Sequence, residues 1–219
     1  MMHLAGVVAL AWALPMQADT VVVLGTVERD LTGDGRPEVL RLVGEGNAFD
    51  SLAVTFSIES SGRVLFRTAL ASLTRTIGFG AGRREISAAE HRTRLDEYGG
   101  WFFGESKFMR PDTFVARLRQ SGRRHEALIP EVIERDRRRQ AVVDSLVRAG
   151  QTILDAERTA QLHLRRWDAP YDTARAVGTW DEIRRTGVTV FEYSPGGDGL
   201  TAIAWSERDR RFYRLLECC

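Results

Sequence analysis

The chain has 219 residues and a formal net charge of +1, with 31 basic side chains against 30 acidic ones. That balance gives no reason to expect a nucleic acid or an anionic membrane surface as partner. A chain of this length buries enough apolar surface to fold as one domain without staples, and its only cysteines, Cys218 and Cys219, leave no third thiol for an internal disulfide framework.

Residues 1–18 carry no Lys, Arg, Asp or Glu, and Leu4 to Leu14 form an apolar run closed by Pro15 and the small residue Ala18. This is the layout of a secretory signal peptide, with cleavage expected after Ala18. The mature chain is then residues 19–219, exported to the periplasm or the exterior. No later apolar stretch approaches the about 20 residues that a membrane-spanning helix needs. Of the basic side chains only Lys107 is lysine.

The first element after the leader is a strand over Thr20 to Glu28, rich in valine, and a second follows around Val39 to Val43. Between them lies Asp30-Leu31-Thr32-Gly33-Asp34-Gly35-Arg36-Pro37-Glu38. Oxygen-bearing side chains stand at alternate positions up to a glycine, with a carboxylate three residues beyond it. Calcium takes six to eight hard oxygen ligands, and a loop that curls round it alternates inward and outward residues. Asp30, Thr32, Asp34 and Glu38, with the carbonyl of Arg36, would supply such a set. Asp and Gly are also favoured in tight turns for backbone reasons alone, so a plain hairpin connection is the competing reading.

Over these ten or so residues the segment resembles the calcium loops of FG-GAP and related blade repeats, and less closely dockerin and EF-hand loops. The resemblance implies a weak structural calcium site between strands, in the range of about 10⁻⁴ to 10⁻³ M. Arg41 stands where an EF-hand carries its bidentate Glu, and Thr32 replaces one charged ligand of the blade pattern. No second copy exists, so a propeller is not implied.

Farther along, Leu52, Val54, Phe56 and Ile58 alternate with smaller or polar residues, the period of a half-buried strand, and Ser60, Ser61 and Gly62 turn the chain into Val64 to Phe66. Ser87 with Glu90 forms a capping box that opens a helix expected to stop at Gly99 and Gly100. Trp101, Phe102 and Phe103 are expected as core plugs. Pro111 opens another helix, and apolar pairs from Leu128 to His163 recur at helical spacing with a break near Gly150. Arg135, Arg137, Arg138 and Arg139 are interleaved with Glu131, Glu134 and Asp136, which predicts an exposed helix face laced with i,i+4 pairs. Thr179 with Glu182 predicts the start of a short helix ending at Gly187. Three strands close the chain, Val188 to Tyr193, Leu200 to Trp205 and Phe212 to Leu216. The short connections favour antiparallel pairing. The pattern predicts a single α+β domain, strand-rich over 19–79 and 188–219 and helical over 80–187. In it one antiparallel sheet of N-terminal and C-terminal strands packs on a central helical segment.

No set of residues forms a recognisable catalytic site. Gly78 to Gly82 has Arg83 where a dinucleotide loop needs its last glycine. His91, His125 and His163 lack partners at metal-ligand spacing. The leading reading is a non-enzymatic exported module that binds a protein or envelope component, with calcium as a structural clip. Its competitor is an exported hydrolase with a carboxylate site, for which Asp168, Asp172 and Asp181 beside Trp167 and Trp180 are the first suspects. Cys218 and Cys219 could close on each other or join two chains as a disulfide-linked dimer.

Overall fold

Alternating burial, strictest along the second strand, builds the first sheet of this computed structural model, which describes residues 20–46, 52–70, 88–121, 126–164, 173–196 and 199–218. Strands β1 (Thr20–Arg29), β2 (Glu38–Gly46), β3 (Ala53–Ser60) and β4 (Arg63–Leu70) form an antiparallel meander in that order. Leu40, Leu42, Val54, Phe56 and Ile58 turn inward and are buried, the period of two that the sequence predicts. Ser61 and Gly62 both have positive φ, 50° and 78°, the backbone sign that lets a two-residue hairpin follow the strand twist.

The C-terminal strands do not join this sheet. Strands β5 (Phe108–Met109), β6 (Val190–Tyr193), β7 (Leu200–Ser206) and β8 (Arg211–Cys218) make a second antiparallel sheet in sequential order. The α+β class expected from sequence holds, with two sheets where one was expected. Strand β5 was not foreseen, because two residues carry no periodic signal.

The helices are α1 (Ala88–Phe102), α2 (Pro111–Gln120), α3 (Ile129–Arg148), α4 (Ile153–Leu164) and α5 (Thr173–Thr186). Pro111 opens α2, and Gly150, at φ +92°, lies in the break between α3 and α4. The second sheet is the middle layer. Phe56 of β3 meets Phe191 and Tyr193 of β6 with ring centroids 5.5 and 5.3 Å apart, while α3 packs on β8 and α5 on β7 from the other side. Hence every residue of β7 from Thr201 to Ser206 is buried, and both sheets share one hydrophobic core.

Two helix boundaries depart from expectation. Helix α1 runs through Gly99 and Gly100 to Phe102. Gly99 lies so close to β1 that a Cβ there would sit 2.0 Å from the Leu24 carbonyl oxygen, so its role is close approach rather than termination. Helix α5 begins at Thr173, so Thr179 is interior and its hydroxyl donates to the Arg175 carbonyl (3.1 Å), a pattern that competes with capping. Of the three aromatics after Gly100, Phe102 is fully buried and Phe103 partly, but Trp101 is 49 % exposed beneath the Lys107 ammonium.

Candidate functional site

The Asp30–Glu38 segment connects β1 to β2, with Gly33 and Gly35 at φ +77° and +82°. Its carboxylates serve the loop's own amides. Asp30 accepts from the N–H groups of Gly33 (2.7 Å) and Gly35 (2.9 Å), and Asp34 from that of Arg36 (2.8 Å). Glu38, 1 % exposed, accepts from the Leu31 N–H (2.7 Å) and the Thr32 hydroxyl (3.1 Å). Among the described residues no group of three or more His, Cys, Asp or Glu is placed to hold a metal ion. The loop forms one wall of a cavity of about 450 Å³, opposite Trp205, Glu207 and Arg210.

A larger cleft, about 890 Å³, opens between β4, helices α3 and α4, and the turn from β7 to β8. It adjoins the first cavity, because Arg63, Leu65 and Arg210 line both. Among the described residues seven arginines face it against three carboxylates. Sequence reasoning missed this site, since its residues come from four segments between 63 and 214.

The inner wall of the cleft rests on a buried ionic network. The arginine-rich run of α3 is only in part the solvated face expected: Glu131 and Arg135 are exposed and Glu134 pairs with Arg138 at i,i+4, but Glu134 and Asp136 are each 1 % exposed. Glu134 holds Arg137 (2.7 Å) and Arg138 (2.8 Å). Asp136 accepts from the backbone N–H and the guanidinium of Arg214 on β8, both at 2.9 Å, and from Arg139 (2.7 Å) and Gln140 (2.6 Å). Arg214 continues to Thr68 of β4 (2.8 Å), whose hydroxyl donates to Glu157 of α4 (2.7 Å). Four elements are thereby tied at one point. Burial raises the Asp136 pKa, but Arg214 and Arg139 outweigh it and hold the carboxyl below the usual value. The Arg214 guanidinium is pushed up despite its burial, chiefly by Asp136.

The periodicity held a signal for this network. Asp136 and Gln140 continue the stripe of Ile129 and Ile133 at helical spacing, so a polar pair stood where the pattern demanded core.

The groups on the cleft differ in how far they are engaged. Arg139 and Arg214 are neutralised by Asp136, Glu157 and Glu217. Arg211 lies 3.8 Å from Asp144 and hydrogen-bonds Gln140. Buried Nε atoms of Arg139 and Arg211 have no acceptor among the described residues. Asp209 accepts from the Tyr213 hydroxyl (2.9 Å) and pairs with Arg175 (3.0 Å). Burial opposes its ionisation, yet the Tyr213 and Arg175 contacts keep its pKa below the usual range. On the rim, Arg63, Arg67 and Arg210 are exposed and form no ion pair among the described residues.

Of the hydrolase suspects, Asp181 is exposed on α5 next to buried Trp180; Asp168, Asp172 and Trp167 lie outside the described residues, as do Gly78 to Gly82, His125 and residues 1–18. His163 is exposed at the end of α4. Cys218 ends β8 opposite Leu200, and Cys219 lies outside the described residues. Among the described residues no helix is long and apolar enough to cross a membrane. Comparison with protein-family models, curated proteins and solved structures finds no match to this chain.

Proposed function

We propose that the protein is an exported binding module that acts without covalent chemistry and takes a small anionic ligand in the cleft between β4, α3, α4 and the β7–β8 turn. The observation that carries this reading is the convergence on one concavity of Arg63, Arg67 and Arg210, which form no ion pair among the described residues. Its volume falls within the range of about 300 to 1,000 Å³ usual for ligand sites. One carboxylate on the cleft supports binding over catalysis. Asp209 is held by Tyr213 and Arg175, whose contacts keep its carboxyl below the usual range despite its burial, whereas acid/base work needs a carboxyl poised near the working pH. Export rests on the leader-like residues 1–18 and is tested by Asp19 becoming the new amino terminus of secreted material.

A weak structural calcium in the Asp30–Glu38 loop belongs to the same proposal. Its support is the spacing of Asp30, Thr32, Asp34, Arg36 and Glu38. The amide contacts of Asp30, Asp34 and Glu38 compete with the ion, which keeps the expected affinity low.

The test of the cleft uses the fluorescent anion 8-anilinonaphthalene-1-sulfonate. Saturable binding of one probe per chain is expected, weakened at least about tenfold in an Arg67→Glu, Arg210→Glu variant, since opposed charge at a ligand site reverses an attraction. Absence of saturable binding, or binding indifferent to the two substitutions, would overturn the reading.

A further inference from the structure

Resting on the binding-module reading, we infer that the ligand is a single-chain amphiphile, an apolar chain that ends in a phosphate or carboxylate. The cleft has two chemically different parts. Its rim offers the guanidinium groups of Arg63, Arg67 and Arg210, planar forks matched to oxyanions. Deeper in, Arg139, Arg211 and Arg214 already have partners among the described residues, and only the buried Nε groups of Arg139 and Arg211 are left without an acceptor there. An anionic head therefore stays at the rim.

Beside the rim arginines the cleft also offers apolar surface. Val64 and Val147 are 41 % and 42 % exposed, and both line this cleft together with Leu65, Val143 and Ile153. Scattered exposed valines are ordinary, but five aliphatic side chains gathered in one concavity remain wetted until something covers them. A bare inorganic anion would leave that surface in water, and a neutral chain would leave the rim arginines without a partner. A chain with a charged head answers both.

An extended peptide is the other occupant considered, since β4 is an edge strand. Its edge is blunted. The pairing of β4 with β3 shifts register at Leu65, Arg63 and Arg67 stand on the strand, and Glu157 covers the Ala69 N–H (3.1 Å). Bulges, charges and covered amides are the devices that discourage strand addition.

The experiment is displacement of the anilinonaphthalene probe by octyl phosphate, inorganic phosphate and octyl glucoside, each below its micellar concentration. Each fully buried methylene strengthens binding by about fourfold, so octyl phosphate should displace the probe at a concentration at least about tenfold lower than either of the others. Val147→Asp, at an exposed position of α3, should erase most of that advantage while leaving the melting temperature in place. If the probe binds in an arginine-dependent manner but octyl phosphate competes no better than inorganic phosphate, the chain has no place in the cleft: the inference falls and the binding-module reading stands. If octyl glucoside competes as well as octyl phosphate, the anionic head is not recognised and the inference also falls. If the probe does not bind, the reading beneath it falls first.

Discussion

Asp136 on α3 and Arg214 on β8, seventy-eight residues apart, are joined twice, through the Arg214 backbone N–H and its guanidinium, each at 2.9 Å. Removing one partner of such a pair leaves the other charge buried and uncompensated, at a cost of about 3 to 5 kcal/mol. Asp136→Ala should lose that much stability in urea unfolding. An Asp136→Leu, Arg214→Met double variant should recover only part of it, because Arg139 and Gln140 also bond the same carboxylate. A loss below about 1 kcal/mol in Asp136→Ala would show that the pair is not the tie between α3 and β8.

Acid should weaken the fold through the same group. The folded-state pKa of Asp136 lies below its ordinary value of 3.8, and that of Asp209 is likewise depressed. Their contribution is thus fully present above the unfolded pKa and is lost as pH falls through the folded one. Where the unfolded chain is protonated and the native chain is not, each such carboxylate adds a slope of about 1.4 kcal/mol per pH unit. Stability measured from pH 5 downward should therefore fall, with a shallower slope in Asp136→Asn. Equal slopes would remove Asp136 from this account.

Gly99→Ala tests the contact between α1 and the first sheet. Alanine favours helix over glycine by about 1 kcal/mol, so intrinsic propensity predicts stabilisation. The new methyl would instead meet the Leu24 carbonyl at 2.0 Å, and backbone cannot swing aside as a side chain does. Overpacking costs about 1 to 3 kcal/mol, and the net effect should be a lower melting temperature. Gly100→Ala, with nothing within 4 Å, is the control that should keep or raise it.

Calcium at about 10 mM, against a Kd of about 1 mM, should add about 1.4 kcal/mol to the folded state, or roughly 2 to 4 °C in melting temperature. The shift should disappear with chelator and in Asp34→Ala, and magnesium should do much less. Identical melting of wild type and Asp34→Ala with and without calcium would leave the loop as a turn held by Asp30, Asp34 and Glu38.

What the amino-acid sequence decided by itself was local. Period-two burial at Leu52 to Ile58, the turn at Ser61 and Gly62, the helix start at Pro111 and the break at Gly150 each follow from a few adjacent residues whose backbone preferences act within one turn or one pleat. Tertiary structure decided what those elements meet. The division of the eight described strands into two sheets depends on which faces bury each other, and Phe56 against Phe191 and Tyr193 is a contact across more than 130 residues. Glu182 shows the difference at one position. At helical spacing from Thr179 it reads as a cap, yet in the fold it is buried and accepts from the Ser206 hydroxyl (2.7 Å) and the Glu207 N–H (2.9 Å), holding the turn from β7 to β8. A capping pattern records only neighbours along the chain. The partner that satisfies a buried carboxylate is set by packing, and packing brought this helix to that turn.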